Sequence, residues 1–363
     1  MQNMAVEPTV HPETLKGRGA RSNRSGRFES QSRVLVDDGW SILEDAQAPK
    51  TTITVEQPKS IITRNQSPDV PFERSINPYR GCEHGCVYCF ARPTHAYHGL
   101  SAGVDFETKL FVKKDAAKLL ERAFGNPRYQ AKPIAIGTNT DPYQPIERQW
   151  RVMREVLEVM REARHPVSIV TKSALVTRDI DILADMAEMG LAKVYLSVTT
   201  LGRVLARNLE PRASTPAKRL EAIRLLSDAG IPTGVMAAPM IPALNDHELE
   251  AILEAAKNSG ATTAGYILLR LPLEVSELFK EWLLRHYPNR YRHVLLLLRS
   301  MRGGKDYDAT WHERMHGNGP YAQAIAKRFD LASKRLGLRK RAAPLRTDLF
   351  RVPASERRQM DLF

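Results

Sequence analysis

Short apolar runs rich in β-branched residues alternate six times with longer segments whose apolar residues recur at helical spacing. No other feature of the 363-residue chain restricts its fold as strongly. The runs at 75–78, 133–137, 167–171, 193–199, 233–237 and 262–269 read as strands buried on both faces. Between and after them, 113–124, 146–163, 178–189, 215–229, 246–259 and 273–285 read as helices. In the second of these, Val152, Val156, Val159 and Met160 share one face. Thr177 and Asn245 stand where N-caps belong, Pro216 in a first turn, and Gly190, Gly230 and Gly260 just past C-termini. Such alternation requires a parallel sheet with right-handed crossovers. Six units predict an α/β fold, a partial (β/α)6 TIM-type barrel, with an open doubly wound sheet as the alternative. In either fold the site lies at the C-terminal ends of the strands.

The flanks differ in character. Residues 1–60 are rich in Gly, Ser, Arg and Pro, and 16–27 has no periodicity, so this part is expected to be a flexible basic segment. Residues 61–300 are expected to form the barrel, and 301–363 a helical extension, with a helix over 311–336, followed by a basic tail. From Lys334 to Arg358 there are nine Lys or Arg against two Asp or Glu. The whole chain carries a formal charge of +13, an excess that favours polyanionic partners, nucleic acid first. No run approaches the ~18 apolar residues of a membrane span. The first residues lack the apolar centre of a secretory signal. With only three clustered cysteines, a disulfide framework is not expected, and the chain reads as cytoplasmic.

Those cysteines, Cys82, Cys86 and Cys89, lie within eight positions directly after the first predicted strand. Four thiolates would close a structural zinc site or a standard iron–sulfur cluster, whereas three leave one coordination position for a ligand that is not protein. Gly81 and Gly85 let the backbone curl around a bulky group. A [4Fe–4S] cluster with one open iron is the favoured reading; a zinc site completed by His84 is the alternative.

The spacing C-x3-C-x-aromatic-C, with Tyr88 as the aromatic residue, resembles the signature of the radical S-adenosylmethionine (SAM) superfamily. The resemblance runs from about residue 75 to 271. It implies a partial TIM barrel, a cluster whose open iron binds SAM, and one-electron cleavage of the sulfonium to a 5′-deoxyadenosyl radical that abstracts hydrogen from substrate. More narrowly, GTNTDPYQPIE at 137–147, TKSALVTRD at 171–179, SVTT at 197–200, EPRAS at 210–214 and PMIPALND at 239–246 resemble the spore photoproduct lyase branch. By that resemblance Thr140, Lys172 and Ser197 contact the cofactor. The position of the lyase's cysteine hydrogen donor is Asn139 here, and there is no fourth cysteine, which counts against photoproduct reversal by the lyase's route. Tyr97 or Tyr143 would be the substitutes to examine.

Residue chemistry adds to this. Lys172 is an isolated charge at the barrel mouth and suits the cofactor carboxylate. Ser197 ends the fourth strand as a hydrogen-bond donor. In the segment Arg207 to Arg212, an arginine such as Arg212 can clamp a carboxylate in a bidentate manner, and Glu210 can orient it or meet a ribose hydroxyl. The polar loop after the second strand, Asn139 and Thr140 included, suits a binding loop. The chain ends Gln359, Met360, Asp361, Leu362, Phe363, resembling the peptide by which bacterial replication and repair proteins bind the DNA sliding clamp. The related Leu349-Phe350 lacks the Gln and is expected to pack internally. Taken together, these features predict a radical SAM enzyme acting on nucleic acid, DNA before RNA, with an external one-electron reductant. The alternatives are modification of RNA or a small metabolite, and a non-catalytic iron–sulfur nucleic-acid-binding protein.

Overall fold

The computed structural model describes residues 17–29 and 50–354. Its main sheet contains six parallel strands: β1 (Arg74–Ile76), β2 (Ile134–Ile136), β3 (Val167–Thr171), β4 (Ala192–Ser197), β5 (Thr233–Met240) and β6 (Thr263–Leu268). Each pairs with the next in chain order, and Ile62–Arg64 adds an antiparallel edge to β1. A doubly wound sheet reverses its strand order at a switch point. This one never does, so right-handed crossovers place every helix on the same face and the sheet is of the barrel type. Ile134, Ile136, Val167, Ile169, Val194, Leu196 and Val235 are completely buried, as expected of strands covered on both faces.

Six helices serve the sheet: α1 (Ala116–Phe124), α2 (Val152–Glu162), α3 (Ile180–Glu188), α4 (Pro216–Asp228), α5 (Leu249–Asn258) and α6 (Val275–His286). The expectations at Pro216, Gly190, Gly230 and Gly260 hold, and Thr215 caps α4. The Thr215 hydroxyl accepts from Lys218 N, and Gly190, at φ 72°, lets Leu191 N reach back to Met186 O at 2.8 Å.

Several helix expectations need correcting. Asn245 does not cap α5: a 3-10 turn, Asp246–Glu248, comes first, and the Asn245 Oδ1 accepts instead from Ile241 N at 2.6 Å. The stretch 146–163 is two helices, because Arg151 adopts φ 51° between Glu147–Trp150 and α2. The buried Glu147 carboxylate causes the break: it accepts from Met153 N at 3.2 Å and caps α2 from outside. Thr177 does not cap α3. A 3-10 turn, Ala174–Asp179, comes first, capped by Ser173, which accepts from Leu175 N.

Helices α7 (Tyr291–Ser300) and α8 (Gly319–Leu336) follow the barrel. The helix expected over 311–336 is thus shorter. Residues before it form a loop that binds Asp69 through His312 N at 2.6 Å and through the Arg314 side chain, and Asn318 and Pro320 then start α8. Beyond α8 the chain runs across the base of the barrel. There Phe350 meets the rings of Phe124, Tyr129 and His165 at 5.4–5.7 Å, the internal packing expected of it.

The described part of the N-terminal segment is not a free tail. Residues 17–29 lie against the cysteine loop, with Ala20 fully buried. Thr52–Val55 joins a second, three-stranded sheet with Lys109–Val112 and Tyr79–Arg80. The terminal Gln359 to Phe363 lies outside the described residues.

Candidate active site

The cysteine loop leaves β1 at the C-terminal end of the sheet, where the alternation requires a site. It is pinned from several sides. Cys82 N donates to Phe106 O at 2.9 Å, Val87 N to Leu209 O at 3.1 Å, and Arg212 N to His84 O at 3.2 Å. Gly81 and Gly85 both have positive φ, 72° and 68°. A side chain at Gly85 would also stand 2.8 Å from the Glu107 carboxylate. Arg92, wholly buried, donates to Cys86 O at 2.9 Å and to Ala102 O and Gly103 O at 3.0 Å, and forms an ion pair with the equally buried Glu107 at 2.5 Å.

Cys82 and Cys86 are buried and Cys89 nearly so. Burial drives all three thiols upward, and Asp141 with the neighbouring thiols adds to this for Cys82, as Glu210 and Cys89 do for Cys86. Opposing it, the backbone amide of Asp141 bonds to Cys82, those of Ala91 and Arg92 bond to Cys89, and Lys172 and Arg219 lie near Cys86. Against burial and the two carboxylates, these N–H donors and cations favour the thiolate form, which fits three thiolates gathered on one cluster. The thiols fit zinc poorly. His84 Nδ1 faces Asp141 Oδ2 at 3.5 Å, and among the described residues no three Cys, His, Asp or Glu are close enough to hold a single ion.

Beside the loop lies a buried charge centre. Glu210 accepts from the Tyr88 hydroxyl, from Arg219 and, at 2.5 Å, from Thr199 Oγ1, while Lys172 Nζ stands 3.5 Å away. Burial raises the Glu210 carboxyl, but Arg219 and Lys172 outweigh it and hold the group ionised. Lys172 also lies over the Tyr88 ring at 5.6 Å and donates to Ala238 O at 3.3 Å. Arg219 donates to Ser197 O at 2.9 Å.

Of the residues singled out in the sequence, Tyr88 and Lys172 therefore meet at Glu210, and Ser197 joins them through its backbone carbonyl on Arg219. The Thr140 hydroxyl donates to Tyr79 O at 2.7 Å. Arg212 pairs with Glu83 at 3.3 Å and lines a shallow cavity with His84 and Ser173. Tyr143 is fully buried with its hydroxyl on Asp179 at 3.1 Å, whereas Tyr97 is exposed beside Phe28. Sequence reasoning missed Arg92, Glu107, Asp141 and Arg219. The first two carry no local signal. Asp141 did lie within the polar loop, where its carboxylate accepts from Thr171 Oγ1 at 2.7 Å and Lys172 N at 2.8 Å.

Asn139 faces a second feature, a cavity of about 420 Å³ at the open edge between β1 and β6. Asn77, Thr138 and Arg270, from the ends of β1, β2 and β6, line it with Phe90, the residue after Cys89. Five cations surround it: Arg64, Arg80, Lys113, Arg270 and Arg314. Arg80 is paired with Glu56 and Arg314 with Asp69. Arg64, Lys113 and Arg270 have no carboxylate at ion-pair distance among the described residues. Lys113 is buried and donates to Asn77 O at 2.8 Å, and Arg270 stacks on Phe90 at 4.8 Å.

Comparison with known proteins matches residues 76–256 to the Radical SAM superfamily. An uncharacterized protein of Mycobacterium tuberculosis is 36% identical over 230 residues, 62% of this chain and 68% of that one. Another from Methanocaldococcus jannaschii is 30% identical over 219 residues, 60% of this chain and 78% of that one. The chain belongs to the radical SAM superfamily. It is accordingly an enzyme of that class, with a [4Fe–4S] cluster and SAM as cofactors. Among solved structures, spore photoproduct lyase complexed with dinucleoside spore photoproduct superposes with a TM-score of 0.56 at 16% identity, over 80% of this chain and 82% of that one. A variant of the same lyase with bound AdoMet and the dinucleoside reaches 0.54 at 15% identity, with the same coverage. This likeness is one of fold. Among the described residues no helix is long and apolar enough to cross a membrane.

Proposed function

We propose that this radical SAM enzyme acts on nucleic acid, DNA ahead of RNA, and that the cavity between β1 and β6 receives the part of the strand to be modified. The observation that carries this reading is that three cations without carboxylate partners among the described residues, the buried Lys113, the half-buried Arg270 and the exposed Arg64, line a cavity that also takes in Phe90, directly after Cys89. An uncompensated buried cation is costly, and an anionic ligand removes the cost. A phosphodiester has the required charge, and the exposed ring of Phe90 suits a base. The lyase of similar fold has been solved in complex with a dinucleoside.

In this reading Cys82, Cys86 and Cys89 hold the cluster. When bound, the cluster and SAM supply a carbon-centred radical by one-electron cleavage, with the electron coming from an external reductant. The protein's own part is electrostatic and steric. Glu210, kept ionised, holds Lys172 and Arg219 in place, leaving the Lys172 ammonium at the mouth for the cofactor carboxylate. Tyr88 and Ser197 complete that wall. Asn139, Thr140 and Arg212 are assigned to the cofactor with them, and Asn139 also borders the cavity. Domain limits of 61–300 for the barrel and 301–363 for the extension remain part of the proposal. So does a sliding-clamp contact through Gln359 to Phe363.

The test is fluorescence anisotropy with single-stranded DNA and RNA of one sequence over a salt series. The double variant Lys113→Met, Arg270→Met is expected to weaken DNA binding about tenfold and to reduce the salt slope by about 1.4, roughly 0.7 for each single-strand phosphate no longer neutralised. Unchanged affinity would remove the cavity from the reading, and tighter binding of RNA would reverse the preference.

A further inference from the structure

The residues before the barrel make contacts that the superfamily chemistry leaves unexplained. Glu107 is wholly buried, and its partners come from two directions. From the core side, Arg92 binds Oε1 at 2.5 Å and carries the constraint to the Cys86 carbonyl. From the other side, Ala20 N donates to Oε1 at 2.8 Å and Gly19 N to Oε2 at 3.0 Å, while Arg18 Nη1 donates to Glu107 O at 3.0 Å. One buried carboxylate thus joins residues 18–20 to the loop bearing the cysteines.

The fit is close. A Cβ on Gly19 would stand 1.7 Å from Gly85 O, in the turn between Cys82 and Cys86, and a Cβ on Gly103 would stand 2.0 Å from Ser22 O. Only a strand lacking a side chain at 19 can lie so near the loop. The segment is held along its length. Asn23 and Asp105 exchange hydrogen bonds at 3.0 and 2.9 Å, and Arg24 and Arg27 pair with Glu281 and Glu274 on and beside α6. After residue 50 the chain returns to the same place. Thr52–Val55 pairs with Lys109–Val112, and Thr51 Oγ1 donates to Glu83 Oε1 at 2.8 Å, directly after Cys82.

We infer that residues 18–22 form a strap that closes the outer side of the cluster loop, and that Glu107 is the positioning residue through which strap and loop hold each other. The strap excludes water from the back of the cysteine loop, while the Glu107–Arg92 pair fixes the Cys86 backbone. Solvent access and groups beyond the ligands control how firmly a protein retains a metal centre and at what potential it works. The strap is therefore a determinant of cluster retention, separate from the substrate cavity on the other side of the mouth.

The experiment uses the full chain, reconstituted anaerobically with iron and sulfide, and reads iron release to a chelator together with the electron paramagnetic resonance spectrum of the reduced cluster. Gly19→Val leaves the Glu107 and Arg92 side chains unaltered, and its side chain, which cannot fit against Gly85 O, lifts the strap off the loop together with the Gly19 N bond to Glu107. It is expected to speed iron release about tenfold and to change the spectrum, with the thermal unfolding temperature kept within a few degrees. Glu107→Gln, nearly isosteric, is expected to shift both readouts in the same direction. If it fails to fold, Gly19→Val decides alone. Iron release from Gly19→Val within twofold of wild type, with an unchanged spectrum, overturns the strap. The same result for a folded Glu107→Gln overturns the positioning role. Neither readout involves nucleic acid, so a failure here is distinct from a failure of the substrate proposal.

Discussion

The two ends of this chain look alike in sequence and attach to the barrel by different physics. Residues 17–29 carry four arginines, and the stretch after α8 is likewise basic, without periodicity. At the mouth, the N-terminal end is fastened by backbone amides on a buried carboxylate, with arginines on acidic groups around it. At the base, the C-terminal end is fastened by an aromatic ring: Phe350 fits among Phe124, Tyr129 and His165, and Arg351 N donates to Ala163 O at 2.9 Å. Net charge decided neither attachment. The mouth is polar and organised around buried ions, which suits a site where charge must be placed; the base is apolar and contributes stability.

Three experiments would sharpen or break that contrast. The largest effect belongs to the mouth. Cys86→Ala is expected to abolish the four-iron absorbance and SAM cleavage while the protein stays folded, because the base is untouched. Full four-iron absorbance in that variant would remove Cys86 as a ligand.

Next is Phe350→Ala. It is expected to cost about 2 kcal/mol of stability in denaturant unfolding, less than a fully buried Phe because this ring is only partly covered. Cluster content should stay at wild-type levels. Loss of the cluster in step with stability would mean that the two ends are not independent.

The smallest effect is one of pH. His165 donates from Nδ1 to Pro166 O at 3.1 Å and accepts at Nε2 from the Tyr129 hydroxyl at 2.8 Å, and it stacks on Phe124. Burial, only partly offset by the bond to Pro166, lowers its pKa to about 3. Between that value and the ordinary histidine value of about 6.5, the unfolded chain binds a proton that the folded chain refuses. Stability from this group is therefore complete above about pH 6.5 and declines as the pH falls toward 3. Chemical denaturation at pH 7 and pH 5 should show a decline in wild type that is smaller in His165→Leu. Equal declines would remove His165 as its source.

Local patterns were the legible part of the molecule. Val167–Thr171 is a strand over the residues expected of it, the other five core strands differ only at their ends, and every unit occurs in the anticipated order. The corrections came where a distant side chain intervened. Glu147 broke the helix expected over 146–163, Asp69 drew residues 312–314 away from α8, and Glu107 turned a supposed flexible segment into part of the mouth. The site shows the same division. Tyr88 and Lys172 stood out by motif and by isolation, but nothing near Arg92 or Arg219 marks either as a buried partner of a carboxylate.

What the sequence determined by itself is what neighbouring residues can encode: six strand–helix units, the polar loops at their C-terminal ends, and three cysteines spaced to leave one coordination position open. What only the tertiary structure decided is the pairing of buried charges. Tyr88 meets Glu210 across 122 positions, and Gly19 meets Glu107 across 88. A periodic pattern reports how a segment meets a solvent boundary. A buried carboxylate is stable only where donors converge from several elements at once, and that convergence exists only after the chain has folded.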